Sequence, residues 1–361
     1  MKKYIAVLVA AIMTAGCLCA CGNDSGAVAS AKNDTLSVVT TIFPEYDWVM
    51  NVLGENPSDI QVTMLLDNGV DLHSYQPTMD DIIKISTCDM FIYVGGESDE
   101  WVEDALKEAT NKDMKVINLL DVLGDSVKEE EVVEGMQEEE HEHEHDHDDE
   151  DADGHDHDDE DADGHDHDDE DAEDHDHEHE EEVEYDEHVW LSLRNAAVLT
   201  GRISDDLQSL DPKNAETYRK NSDEYISKLN VLDKQYADAV SNASEKTLLF
   251  GDRFPFRYLT DDYNLSYYAA FVGCSAETEA SFETIAFLAG KTDELSLPAV
   301  LTIEGAEHSI AETIVKNTEN KDQKILTMDS MQSTTSKDVE GGTTYLSIME
   351  NNLSVLKEAL N

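Results

Sequence analysis

One segment constrains this chain more than any other. Between Glu129 and Glu187 it carries 36 acidic residues in 59 positions and no Lys or Arg. With almost no apolar side chain, such a tract cannot bury a core or offset the entropy of ordering, so it reads as a disordered loop between folded stretches. A period-ten repeat runs through it: His145-Asp146-His147-Asp148-Asp149-Glu150-Asp151-Ala152-Asp153-Gly154 recurs from His155 and degenerates after His165. Outside the tract, 47 acids face 24 bases, an ordinary acidic balance. The tract therefore carries most of the formal charge of −59 on 361 residues. A polyanion repels a phosphate backbone, which excludes nucleic acid as a partner.

Eleven of the 14 histidines fall in the tract: His141, His143, His145, His147, His155, His157, His165, His167, His175, His177 and His179. Their i, i+2 spacing lets a flexible chain offer two or three imidazoles to one cation. Each is mostly neutral above a pKa of roughly 6.5 and then able to bind zinc. We read them as auxiliary weak metal sites, since acid alone would solvate a spacer. Asp149–Glu160 and Asp159–Glu170 also fit the EF-hand spacing. Asp156 and Asp166 stand where that loop needs an apolar residue, and no amphipathic helix flanks either stretch.

The N-terminus reads as an export signal. Lys2 and Lys3 precede an apolar run from Tyr4 to Met13 that is too short to span a bilayer. Leu18-Cys19-Ala20-Cys21-Gly22-Asn23 then has the form of a lipobox with Cys21 as the lipidated thiol, Cys17 being a poorer candidate. Two acyl chains suffice for stable anchoring, which places the protein on the outer face of the cytoplasmic membrane. Residues 21–35 form a polar tether. After processing only Cys88 and Cys274 remain besides the lipidated one. A pair is possible in an exported protein, but two lone, distant cysteines in apolar surroundings read as buried small residues.

Strand and helix signals alternate on both sides of the tract. Strands are expected at Leu36–Thr41, Ile60–Leu65, Met90–Val94 and Lys115–Leu119, with helices from Pro44, from Pro77 and over Glu100–Ala109. After Pro212, the residues Tyr218, Tyr225, Leu229, Leu232, Tyr236 and Val240 mark one apolar stripe on a long helix ending near Ala243. Further strands are expected at Thr247–Phe250, Leu265–Ala269, Ala299–Ile303 and Lys324–Met328, and a final helix over Thr343–Leu360. The fold class is thus α/β: two lobes, each a mainly parallel sheet flanked by helices, joined by one long rigid helix. The expected divisions are a signal peptide 1–20, tether 21–35, first lobe 36–125, inserted loop 126–184, end of the first lobe with the linking helix 185–245, and second lobe 246–361.

In two-lobed α/β proteins, ligands bind at the carboxyl ends of strands, in the cleft between lobes. His73 follows the second strand, His188 precedes the linking region, Asp252 follows the fifth strand and Asp329 the eighth. Imidazole with carboxylate suits a borderline divalent metal such as zinc or manganese.

These segments resemble the metal-binding lipoproteins of bacterial ABC importers for zinc and manganese. The lipobox, His73-Ser74-Tyr75-Gln76-Pro77-Thr78, Glu187-His188-Val189-Trp190, Cys274-Ser275-Ala276-Glu277-Thr278-Glu279 and Asp329 stand in that family's order. The resemblance covers nearly everything after Cys21. It implies two lobes bridged by a rigid helix, one transported ion between them, a membrane permease with its ATPase as partner, and a monomeric receptor. His73, His188 and Asp329 match three of the family's four ligand positions. The fourth departs: zinc binders usually have His shortly after the fifth strand and manganese binders often a carboxylate, whereas here Gly251-Asp252-Arg253 fills that place. Asp252 is the residue there able to donate electrons, because Arg253 stays protonated; its alternative role is a helix N-cap before Phe254. Glu304 is a candidate hydrogen-bond acceptor near the site, His308 a helix-start surface residue, and Trp190 and Tyr75 packing residues.

The expected function is capture of Zn(II) and delivery to the permease, with Mn(II) as the alternative ion. A zinc metallohydrolase would need an open metal position and a general base, and no His-Glu-x-x-His stands on an expected helix: the pattern occurs within the acidic tract alone, at His141–His145 and His143–His147. A surface zinc buffer, with the tract as its whole function, is the third reading.

Overall fold

The computed structural model describes residues 35–54, 60–137, 184–275, 279–305 and 308–361. Two sheets of the same topology form its frame. Strands β1 (Leu36–Thr40), β2 (Ile60–Met64), β3 (Met90–Tyr93) and β4 (Lys115–Asn118) are parallel and ordered β2-β1-β3-β4. Strands β5 (Thr247–Phe254), β6 (Ser266–Val272), β7 (Ala299–Thr302) and β8 (Lys324–Thr327) repeat that order as β6-β5-β7-β8. All eight strands arise where alternating apolar runs place them. β5 and β6 run further than expected, because their pairing resumes at Arg253 and Phe254 after a register shift past Phe250. Asp252 therefore lies in a bulge within β5, not at a helix start.

Parallel strands need both faces covered, and the second sheet shows how. Along β5, Leu248 and Phe250 turn to the main core, while Leu249 between them joins a separate cluster with Phe271, Leu288, Val300 and Ile314. That period of two puts helices Phe282–Glu294 and Ser309–Asn317 on the outer face. The main core runs unbroken from Val38 in the first sheet to Leu360 at the C-terminus.

The linking helix spans Ala215–Asn242, and its seven buried positions include all six of the expected stripe. At about 1.5 Å per residue it is roughly 42 Å long. Near its start, Tyr225 donates to Asp47 Oδ2 at 3.0 Å in the first lobe. Near its end, Tyr236 donates to the Met349 carbonyl at 2.6 Å and stacks on Tyr263 of the second lobe. Helix Leu193–Leu210 carries only a weak signal in the sequence. It has no proline at its start, and buried Thr200 and Ser204 dilute its apolar stripe; Ser192 caps it by accepting from Asn195 N at 3.1 Å.

The start of the acidic insertion is ordered, contrary to expectation. Glu129 pairs antiparallel with Tyr185, through bonds from Glu130 N to Glu184 O and from Asp186 N to Lys128 O, each 2.9 Å. The chain then reaches the second lobe, where Gln137 N donates to Ala270 O at 3.0 Å and Met136 is buried. Backbone pairing and apolar anchors at Val133 and Met136 hold this arm despite its charge. Among the described residues, no helix is long and apolar enough to cross a membrane.

Candidate metal centre

His73 stands in a short 3-10 turn, Leu72–Ser74, after β2. Asp71 caps that turn by accepting from His73 N at 3.1 Å. His188 precedes a second 3-10 turn, Val189–Leu191, and Asp186 holds it twice: Oδ1 accepts from His188 N at 2.8 Å and lies 3.1 Å from Nδ1. His73 Nδ1 lies 2.7 Å from Ser98 Oγ and 3.6 Å from Glu187 Oε2. Both rings thus have Nδ1 engaged on the protein side, while their Nε2 atoms face each other at 3.2 Å.

That arrangement has a chemical consequence. With the proton assigned to Nδ1 in each ring, facing Ser98 Oγ at His73 and Asp186 Oδ1 at His188, two lone pairs point at one another. Two nitrogens bound at about 2.0–2.1 Å to a tetrahedral zinc stand about 3.3 Å apart, so the spacing suits one ion between them. Burial, then the neighbouring His188, push His73 down to about 3, which keeps it neutral and ready to coordinate. The buried Glu187 Oε2 has no hydrogen-bond partner, though Oε1 accepts from Ser98 N at 2.8 Å. An imidazole whose other face is metal-bound would be a stronger donor to that oxygen.

A third donor lies beside the pair. One ligand atom each from His73, His188 and Cys274 lie within 4.8 Å of one another, and among the described residues this is the group of three able to hold a metal. The reading of Cys274 as a buried small residue in apolar surroundings is therefore corrected. Burial, then Glu187, Glu130 and Asp186, push its thiol well above the ordinary range. Gly273 makes the approach possible, since a Cβ there would come within 2.8 Å of His188 Cε1 and 3.0 Å of Phe254 O. Cys88 does match the expectation: it is buried, with its thiol donating to Ile85 O. The two cysteines are free thiols.

The two predicted carboxylates stand outside this group. Asp252 Oδ1 accepts from Arg253 N at 2.9 Å, within the bulge in β5, and Oδ2 from Ile303 N at 3.3 Å, just after β7. Asp329 follows β8 and accepts from Met331 N at 2.8 Å; burial and neighbouring Glu304 raise it to about 6. Glu304 is indeed an acceptor, taking bonds from Ser330 N, Ser330 Oγ and Gln332 N and so fixing the loop that carries Asp329. His308 occupies the N-cap position of helix Ser309–Asn317, where its side chain makes no capping bond. Trp190 is packed, its indole donating to Ser330 O at 2.9 Å, and Tyr75 lies edge-on to Trp101. Arg253 spans the cleft: Nη2 donates to Asp71 Oδ2 at 2.8 Å and Nη1 to Ser275 O at 3.3 Å. Sequence reasoning missed Cys274 and the supporting Asp71, Asp186 and Arg253. The available signal was a cysteine in a family segment of a chain whose usual histidine position holds Arg. Cys21 and the eleven tract histidines lie outside the described residues.

The family model described as zinc-uptake complex component A, periplasmic (ZnuA), matches residues 38–359. The chain belongs to the ZnuA family. Its ZnuA relatives include the zinc-binding lipoprotein AdcA of Streptococcus pneumoniae serotype 4, 30% identical over 356 residues. That match takes in 99% of this chain and 61% of the relative, so the chain spans about three fifths of the AdcA length. The high-affinity zinc uptake system protein ZnuA of Bacillus subtilis is 29% identical, over 94% of this chain and 93% of that protein. Among solved structures, the Zn(II)-bound ZnuA-like domain of Streptococcus pneumoniae AdcA superposes with a TM-score of 0.63 at 27% identity, covering 90% of this chain and 99% of that one. The ZnuA assignment and the two four-stranded parallel sheets bear out the two-lobed α/β expectation.

Proposed function

We propose that this chain is the extracytoplasmic receptor of an ABC importer: it captures Zn(II) between its lobes and delivers it to the membrane permease and its ATPase, performing no chemistry on the ion. The observation that carries this reading is the facing pair His73 Nε2 and His188 Nε2 at 3.2 Å. His73 and His188 supply two imidazoles, and Asp329, on the loop after β8, is the carboxylate that the second lobe adds. Two imidazoles favour zinc over manganese, which prefers oxygen donors. Asp252, engaged by two backbone amides, is the weakest of the four expected ligands. Lipidation at Cys21 keeps the receptor, a monomer, on the outer face of the cytoplasmic membrane. The acidic tract collects zinc weakly, because its imidazoles lose chain entropy on binding, and passes it to the cleft.

Competition with a zinc chelator tests the reading. The full chain should hold one ion far more tightly than the rest, and His73→Ala should abolish that one alone. Retention of the tight ion in His73→Ala would refute the site.

A further inference from the structure

We propose that Cys274 is a zinc ligand, its thiolate joining His73 and His188 to form a mixed sulfur–nitrogen capture site. The inference rests on zinc being the ion held by the histidine pair. Three observations converge on it. First, Cys274 Sγ and one nitrogen of each imidazole lie within 4.8 Å of one another. In a tetrahedral site with Zn–S of about 2.3 Å and Zn–N of about 2.0–2.1 Å, such atoms stand about 3.5 Å apart, so the donors have roughly 1 Å to close around the ion. Second, the place that the resemblance gives to a histidine after β5 sets no replacement donor beside the pair: Arg253 cannot coordinate, and Asp252 lies outside the group of three donors, its oxygens accepting backbone N–H groups. Besides Asp329, the second lobe must find its remaining ligand elsewhere, and the thiol is the donor beside the pair.

Third, the loop that carries the thiol is held in place. Cys274 N donates to Glu130 Oε1 at 3.4 Å, and Arg253 binds the carbonyl of the next residue, Ser275, at 3.3 Å. Gly273 allows that loop to lie against the His188 ring. Arg253 is then a positioning residue. The same guanidinium holds Asp71, which caps the His73 turn, so one side chain sets the spacing between the imidazole and the thiol. On binding, the zinc–sulfur bond forms, the S–H bond breaks and its proton leaves to solvent. Sulfur is a softer donor than carboxylate, and a Cys-His pair of ligand types selects zinc against manganese.

The test is the electronic spectrum of the full processed chain titrated with Co(II) to saturation, so that tract and cleft sites are all filled. The tract contains no cysteine, so a thiolate-to-cobalt charge-transfer band reports cleft coordination alone. The wild type and Cys88→Ser should show the band, and Cys274→Ser should lose it. In chelator competition, Cys274→Ser should hold the tight zinc ion on the order of 100-fold more weakly, the upper end of what loss of even a supporting partner costs. If the band is absent from the wild type while the tight ion is still lost in His73→Ala, Cys274 is not a ligand and the receptor reading stands. If no tight ion is found in the wild type, the receptor reading fails and this inference with it.

Discussion

Arg253 of the second lobe and Asp71 of the first form a salt bridge across the cleft, with Nη2 2.8 Å from Oδ2 and each side chain about one-quarter exposed or less. Asp71 also caps the turn that presents His73, and Arg253 also holds the loop after Cys274. The bridge therefore couples lobe spacing to the placement of the His73 imidazole and the Cys274 thiol. Burial works against the Asp71 charge, yet Arg253 and His73 outweigh it and hold the carboxyl below the usual range.

Breaking this bridge should cost more in zinc binding than in folding. Arg253→Gln should lower stability by about 1–2 kcal/mol, less than for a fully buried pair because water reaches both partners. It should weaken the tight zinc site by about tenfold or more, as loss of a supporting partner does. Urea unfolding and chelator competition measure the two effects. Unchanged zinc affinity in a folded Arg253→Gln protein would show that the bridge does not set the site.

Zinc affinity should rise with pH above neutrality. The free protein carries Cys274 as a thiol, pushed well above its ordinary range by burial and then by Glu187, Glu130 and Asp186. His73, pushed down to about 3 by burial and His188, is already neutral there and releases no proton. Binding therefore expels the thiol proton, and affinity should climb about tenfold per pH unit from this source. Cys274→Ser should flatten that slope. Equal slopes in the two proteins, measured by competition between pH 7 and 8.5, would contradict it.

The zinc-free protein should lose stability as pH rises from about 4.5 to 8. Glu45 is buried beside Asp99, and burial first, then that neighbour, raise its carboxyl to about 8 in the folded state. The unfolded chain releases this proton near 4.5, so between the two values the folded state binds more protons and stability falls with pH. Asp99, raised to about 7 mainly by burial, acts in the same direction over its own range. The slope from one such group is at most about 1.4 kcal/mol per pH unit. Glu45→Gln should flatten it, and urea midpoints at pH 5, 6, 7 and 8 would read the difference. The same slope in variant and wild type would rule Glu45 out as the source.

The frame was legible in the sequence because its signals are local. Val38, Val39 and Leu248–Phe250 alternate or cluster as buried strands must, and the Tyr218–Val240 stripe has helical period. Helix Leu193–Leu210 was not, because Thr200 and Ser204 interrupt its stripe and are buried by tertiary packing. The histidine pair was legible as two motif-borne residues, whereas their facing geometry depends on two turns 115 positions apart. Cys274 was hidden for a related reason. Cysteine reads as an apolar residue until Glu130 from the ordered arm, Asp186 and the two imidazoles are brought around it. Asp252 reads as the electron donor next to Arg253, but a bulge, invisible to pattern, turns both its oxygens to the backbone.

The most direct test of the central claim is an anomalous difference map at the zinc edge from crystals of the zinc-loaded protein. The account predicts one strong peak at about 2.0–2.1 Å from His73 Nε2 and His188 Nε2 and about 2.3 Å from Cys274 Sγ. A zinc peak remote from both histidines, with the cleft empty, would contradict it.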